Sequence, residues 1–150
     1  MIRAILSCER GNSFVEMALA APVLAALLLG MIDISRGVAD KLELTQIAQR
    51  TIERVQQSGF SPSNSGTLET EAETAAGSGS AATVTAWLEC GNSSTKLSFT
   101  GSCSSGQAYA RYVNITVTRP FTPLFGTRYF PGANSDGTYT INGEAGIRIQ

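Results

Sequence analysis

The stretch FVEMALAAPVLAALLLGMI, residues 14–32, decides the fold of this 150-residue chain. Its single charged residue is Glu16, and it ends at Asp33. At about 1.5 Å of helical rise per residue it spans roughly 28 Å, close to the ~30 Å hydrocarbon core of a membrane. Arg3 and Arg10 precede it, and basic residues stay on the cytoplasmic side. We therefore expect one membrane pass, with the N-terminus cytoplasmic and the rest of the chain extracytoplasmic.

Other interpretations of this N-terminal segment fit less well. A secretory signal peptide needs a small-residue cleavage site after its apolar stretch, whereas Ala18 and Ala20 lie in the first half of the stretch. A lipoprotein signal would use Cys8, but only seven residues precede it and they include Arg3. A simple signal anchor remains, although Glu16 argues for something more specific. A lone carboxylate in a membrane costs about 2.5–3.5 kcal/mol on insertion scales, so it is expected to have a partner or a task.

The spacing around Glu16 suggests that partner. Glu16 lies four residues after Asn12, which is a facing separation on a helix. If the chain is cut after Gly11, Asn12 carries a new α-amine and Glu16 becomes the fifth residue. The amine of one subunit can then pair with Glu16 of a neighbouring subunit, which cancels two charges that lipid disfavours and sets the axial register between staggered helices. This is the assembly logic of type IV pilins.

Beyond Asp33 the sequence predicts an amphipathic continuation of the same helix, over residues 35–57. Apolar residues recur mainly three to five positions apart, and Ser58-Gly59 supplies a stop. The whole helix is expected to run from about Ser13 to Gln57. An apolar stripe of this kind more often packs on the C-terminal domain of its own chain than on another protein, so packing on its own domain is the expectation. In a pilin-like subunit the stripe could do both. The stripe consists of Ile34, Val38, Leu42, Ile47, Ala48, Ile52 and Val55.

Residues 58–82 are rich in Ser, Gly, Thr and Ala, which predicts a connector. A short helix is expected within it over residues 68–76, capped by Thr67. Three alternating acids, Glu69, Glu71 and Glu73, could suggest Ca²⁺. Acids two positions apart do not share a helix face, however, so a solvated face is the expectation.

Residues 83–150 are enriched in β-formers. Strands are predicted at residues 83–90, 96–100, 109–118 and 138–149, with Pro120 ending the third and Asp136-Gly137 turning into the fourth. Val113, Ile115 and Val117 alternate with polar residues, which predicts one buried face. The fold class is therefore α+β. A long N-terminal helix, transmembrane and then amphipathic, precedes a small antiparallel β domain, as in pilins.

Cys90 and Cys103 stand 13 residues apart at the ends of a Gly/Ser-rich hairpin. In an oxidising compartment this arrangement predicts one disulfide, and closing a loop of that size contributes roughly 3 kcal/mol in the chain-entropy model. The alternative is a reactive thiolate. It would have no histidine to activate it, because the chain contains none.

Composition bears on the remaining function classes. Lys and Arg total 11 against 12 Asp and Glu, so the formal charge of −1 provides no basic surface for nucleic acid. Without histidine, the commonest general base and metal ligand are missing. We expect no nucleic-acid partner, no metal, no cofactor and no enzymatic activity. An extracytoplasmic enzyme using only Asp and Glu is kept as an alternative.

Three stretches together are similar to one family. They are GNSFVEMALAAPVLAALLLGMIDISRG (11–37), RYVNITVTRPFTPLF (111–125) and EAGIRIQ (144–150). They resemble the TadE-like family, the pseudopilins or minor pilins of tight-adherence (Flp) pilus systems. Met17 follows Glu16 where this family usually has Phe and the major Flp pilins have Tyr, and the chain is much longer than a major Flp pilin. Both facts favour a minor component over the main filament subunit.

The resemblance implies a bacterial inner-membrane protein that assists pilus assembly, with its C-terminal domain in the periplasm. A prepilin peptidase would cut between Gly11 and Asn12, and Glu16 would be the assembly acid. Its other partners would be pilus-assembly proteins, pilin subunits and membrane lipid, with incorporation into the extracellular fibre left open. The expected divisions are a leader (1–11), a transmembrane helix (12–34), its amphipathic continuation (35–57), a connector (58–82) and the β domain (83–150). The rival interpretation is an unprocessed single-pass envelope protein with an extracytoplasmic binding domain.

Overall fold

A single long helix opens the fold. The computed structural model describes residues 9–91, 93–124 and 132–149, with side chains from Phe14 onward. Helix α1 is Glu9–Ser58, 50 residues long, and continues through Pro22. Its apolar half has a mean hydropathy of 2.2 over 18 residues with none of that window buried, so it is long and apolar enough to cross a membrane. The predicted long helix is confirmed. It starts four residues earlier than expected, and residues 1–8 of the predicted leader lie outside the described residues.

The rest of the described chain forms a short helix and an antiparallel sheet, which confirms the α+β prediction. A 3-10 turn at Pro62–Asn64 leads into helix α2, Ser65–Ala76. The strands of the sheet are β1 Ala81–Cys90, β2 Leu97–Ser98, β3 Tyr109–Phe121 and β4 Tyr139–Arg148. They lie in the order β2-β1-β3-β4, and all neighbours are antiparallel.

Strand β3 does not stop at Pro120, so that prediction was wrong. Pro120 pairs with Thr140 of β4, and the strand ends one residue later. Residues of β3 with even numbers direct their N–H groups toward β1, but β1 begins at Ala81, opposite Thr118. The N–H that proline lacks therefore has no strand to meet, and proline is tolerated at this position. The predicted turn is present, with Gly137 at φ +83° donating its N–H to the Asn134 carbonyl oxygen at 2.9 Å.

One face of the sheet packs against α1 and α2 to form the core. Val113, Ile115 and Val117 are completely buried, as their alternation predicted. Each large aliphatic side chain buried in this way stabilises the fold by roughly 1.5–3 kcal/mol relative to an exposed one. The helices contribute Leu44, Ile47, Ala48, Ile52, Ala72 and Ala76.

Helix α1 crosses β4 at Gly143 with almost no space between their backbones. A Cβ added at this glycine would overlap the carbonyl carbon of Leu44 and the nitrogen of Thr45, and it would lie 2.6 Å from the Leu44 oxygen. Only glycine permits such a close approach of helix and strand. The depth at which α1 sits on the sheet therefore depends on this residue.

Helix α2 covers the outer edge of β1. Glu69 Oε1 accepts a hydrogen bond from the Val84 N–H at 2.8 Å, and Glu73 Oε1 accepts one from the Ala82 N–H at 3.0 Å. Residues four apart share a helix face, so the two carboxylates replace a missing neighbour strand. The expectation of a solvated face was wrong for these two glutamates.

Glu71, on another face of α2, forms an ion pair with Arg54 of α1 at 2.5 Å. The predicted short helix is confirmed but begins earlier, at Ser65, with Asn64 rather than Thr67 at its N-cap. All three glutamates therefore help to hold α2 in place.

Arg119 of β3 joins three elements. Its Nη2 atom donates to Asp40 Oδ1 and Glu43 Oε2 of α1, each at 2.9 Å, and its Nη1 atom donates to the carbonyl oxygen of Ala76 at the end of α2. The hydrogen bond to Glu43 raises the pKa of Arg119 above its ordinary value, against the lowering effect of desolvation. This guanidinium fixes α1 and α2 against the same end of β3.

Candidate assembly site

The residues of the predicted cleavage junction lie at the beginning of α1. Gly11 and Asn12 are within its helical backbone, and their side chains are outside the described part of the chain. Glu16 follows one turn later on an exposed surface. No hydrogen bond or ion pair joins Glu16 to another described residue. Its role as the assembly acid stays a prediction.

The apolar half of α1 presents large side chains that the rest of the chain does not cover. Their exposed fractions run from 40% at Leu29 to 78% at Phe14. The exposed set within the apolar run is Phe14, Val15, Met17, Leu19, Val23, Leu24, Leu27, Leu28, Leu29, Met31 and Ile32. Lipid alone is a sufficient environment for these residues, because the run matches the thickness of a hydrocarbon core.

Three further apolar residues extend this surface past the end of the run. Ile34, Val38 and Leu42, here called the outer stripe, are 69%, 54% and 58% exposed. The sequence pattern predicts that they belong to one stripe with the residues that pack on the C-terminal domain. That prediction is confirmed for Ile47, Ala48, Ile52 and Val55, which are buried, and it is wrong for the outer stripe.

The helical period explains the division. Leu42 and Leu44 are two positions apart, about 200° around a helix, and so lie on nearly opposite faces. Leu44 is completely buried and packs with the sheet, but it was absent from the predicted stripe. Gly37 lies on the same inner face as Leu44. A Cβ added at Gly37 would lie 3.9 Å from both the Phe121 ring and the Ile141 side chain. The two faces differ in angular position around the helix, which spacings of three to five residues do not distinguish.

The outer stripe extends beyond the reach of lipid. From Ile32 to Leu42 the helix rises roughly 15 Å, whereas the headgroup layer of a bilayer is only about 5–8 Å thick on each side. In a membrane that covers residues 14–32, Val38 and Leu42 stand at or beyond the outer limit of the headgroups. Their apolar surfaces are then covered only if another protein packs on them.

The predicted disulfide is confirmed. Cys90 and Cys103 are bonded, with 5.6 Å between their Cα atoms. The bond joins the end of β1 to the segment between β2 and β3, at the end of the sheet opposite the contact of Phe121 with Arg36 of α1. A surface cavity of about 360 Å³ beside it is lined in part by Leu88, Tyr109 and Arg111. In the described residues, no group of three or more acids or cysteines is placed to hold a metal ion.

These observations define a class of protein: an α+β chain whose N-terminal helix can span a membrane and continues outward to carry a small antiparallel sheet. Residues 11–52 match the model of the TadE-like protein family, which confirms the resemblance noted in the sequence. The match indicates a membrane protein associated with the tight-adherence pilus. It contains Gly11, Glu16 and the outer stripe and ends within α1, so that α2 and the sheet lie outside it. No curated protein and no solved structure matches the chain.

Proposed function

We propose that this protein is a pseudopilin or minor pilin that assists assembly of a tight-adherence (Flp) type IV pilus, without enzymatic activity. In this proposal α1 crosses the bacterial inner membrane once, with the N-terminus in the cytoplasm and the β domain in the periplasm. The observation that carries the proposal is the outer stripe. Apolar side chains that form a continuous exposed surface mark contact sites, and Val38 and Leu42 continue the apolar surface of α1 beyond the lipid, which favours a subunit that packs helix against helix over a plain anchor.

Glu16 supplies the second half of the proposal. A prepilin peptidase cuts between Gly11 and Asn12, and the new α-amine of one subunit pairs with Glu16 of its neighbour. The exposed position of Glu16 on α1 is compatible with an intermolecular partner. Pairing opposite charges within a membrane offsets the cost of burying each alone. The contact between neighbouring helices would thus be aligned by the charge pair of Glu16 inside the membrane and extended by the apolar outer stripe outside it.

Processing is tested by the N-terminal sequence and intact mass of the protein recovered from membranes of a host with its own prepilin peptidase. We expect the chain to start at Asn12. A start at Met1 would contradict the proposal and favour the rival, an unprocessed envelope protein with a binding domain.

Assembly is tested in the same host with the double variant Val38→Gln, Leu42→Gln. We expect piliation to fall sharply while the protein is still processed and its domain keeps its thermal stability, since both residues are exposed and neither belongs to the hydrophobic core. Glu16→Ala should have the same effect with membrane insertion retained. Gln49→Ala, an exposed polar position on the same helix, is the matched control. Normal piliation in both variants would refute the assembly role.

A further inference from the structure

We infer that the corner of the β domain next to the apolar half of α1 docks on the phospholipid headgroup layer of the membrane that α1 spans. This lipid-facing corner consists of Arg36 on α1, Phe121 at the end of β3, and residues 122–124, which follow it. The inference rests on the membrane anchoring in the proposed function and adds a second attachment of the protein to the bilayer. Lipid phosphate is the ligand, and Arg36 is the residue that binds it.

The corner is tied to α1 at the point where the apolar run ends. The backbone N–H of Leu124 donates to both carboxylate oxygens of Asp33, at 2.9 and 2.8 Å. Asp33 is the first residue after the run. Hydrogen bonds from an N–H to a carboxylate are among the stronger ones in proteins, so Leu124 is held at the level of this turn of the helix.

The level of that turn places Leu124 within the headgroup layer. Asp33 stands about 1.5 Å beyond the last residue of the run, and the headgroup layer is about 5–8 Å thick on each side of the hydrocarbon core. Leu124 is 59% exposed. An exposed leucine at this height meets lipid rather than bulk water, and burial of its apolar surface there is favourable.

Arg36 provides the complementary polar contact. It stands about 6 Å beyond Ile32, at the height of the lipid phosphates. Its Nη1 atom is 3.5 Å from Asp33 Oδ1, and its guanidinium carbon is 5.5 Å from the centroid of the Phe121 ring. These contacts orient the guanidinium, while half of the side chain stays exposed. A guanidinium carries five donors in a planar fork that matches phosphate oxygens.

The experiment uses the full chain in lipid vesicles with an environment-sensitive fluorophore at Leu124→Cys, and with Cys8→Ser so that one free thiol remains. Two further label positions serve as controls, one inside the hydrocarbon core and one far from the membrane. Leu27→Cys lies within the apolar run. Thr67→Cys lies beside Ser58, which is roughly 39 Å beyond the run along the helix. We expect the label at 124 to be blue-shifted, shielded from aqueous iodide, and quenched by nitroxides near the headgroups.

The outcomes separate this inference from the membrane anchoring. If the labels at 124 and 67 are equally accessible to iodide while the label at 27 is shielded, the docking is overturned and the anchor stands. If the label at 27 is accessible to iodide, the anchoring fails and the docking fails with it. Neither result depends on processing at Gly11.

The role of Arg36 is tested in vesicles that contain anionic phospholipid. Arg36→Gln should lower the ratio of shielded to accessible label at 124 about fivefold, the factor expected from one basic residue at an anionic surface. Arg50→Gln is the matched control, because it removes an exposed arginine farther along the same helix. An equal ratio in the two variants would show that Arg36 does not bind the lipid phosphate.

Discussion

Replacing Gly143 with alanine tests the close contact between α1 and the sheet. The added methyl group would overlap the backbone of Leu44 and Thr45, and it would lie 2.6 Å from the Leu44 carbonyl oxygen. Ordinary contact begins at 3.4 Å, so helix and strand must separate by more than 0.8 Å at this point, because the Leu44 carbon and the Thr45 nitrogen lie closer to the added methyl group than the Leu44 oxygen does. The obstacle is backbone on both sides, and no side-chain rotation can relieve it.

The expected loss of stability follows from that separation. Forcing an extra carbon into a packed site costs typically 1–3 kcal/mol, and a gap of 0.5–1 Å forfeits roughly a quarter to a half of the dispersion energy of the contacts around it. Leu44 and Ile115 belong to the same core and lose packing together. We therefore expect Gly143→Ala to lower the free energy of unfolding by about 3 kcal/mol. At roughly 4 °C per kcal/mol, the melting temperature falls by about 12 °C.

Thermal unfolding of the full chain in detergent micelles measures this effect. The single tryptophan, Trp87, stacks on Tyr112 with 5.5 Å between ring centroids, so its fluorescence reports the sheet rather than the membrane helix. Gly146→Ala is the matched control on the same strand. There the nearest atom is the side-chain oxygen of Asn114, at 3.0 Å, rather than backbone, and we expect a change within about 0.5 kcal/mol. A melting temperature for Gly143→Ala equal to that of Gly146→Ala would refute the close contact.

Two other predictions concern hydrogen-bonded carboxylates. Glu69→Ala should destabilise the fold by about 1–3 kcal/mol in denaturant unfolding, because the Val84 N–H loses its acceptor. The control, Glu71→Ala, breaks only an exposed ion pair and should cost at most about 1 kcal/mol. Equal losses of stability in the two variants would contradict the role of Glu69 in covering the edge of β1. The backbone N–H of Thr138 and, to a smaller extent, its hydroxyl donate hydrogen bonds that hold the pKa of Asp136 below 3.8. This carboxylate therefore stabilises its turn above pH 3.8. The stabilisation is lost as the pH falls through the lowered pKa of the folded state. A carboxyl NMR titration should give a midpoint below 3.8 that Thr138→Val moves part of the way back, and a midpoint at or above 3.8 in the unmodified protein would show the cause to be wrong.

The elements of the fold were largely predictable from local patterns. Residues 14–32 specify an apolar helix by composition, and the alternation of Val113, Ile115 and Val117 specifies a half-buried strand. The Cys90–Cys103 pairing followed from the cysteine count, since these are the only two that lie after the apolar run. These features depend on near neighbours in the chain, which is why they can be read without the fold.

Contacts between distant parts of the chain were not predictable in the same way. Arg119 lies 79 residues from Asp40, and nothing in either local sequence indicates the other. Gly143 resembles an ordinary strand glycine until α1 is seen to cross it. Glu69 and Glu73 have the composition of a solvated helix face, and only the position of β1 makes them acceptors for a strand edge.

The sequence by itself therefore determined that an apolar helix precedes a disulfide-closed β domain and that Glu16 stands inside the apolar run. Only the tertiary structure decided which part of the amphipathic helix the domain covers. The apolar residues from Ile34 to Val55 form one set in composition and spacing. The sheet, seated on α1 through Gly143, buries the face of Leu44 and leaves Leu42 exposed. The physical reason is that periodicity records which residues are apolar, whereas burial depends on the orientation and depth at which a distant element packs.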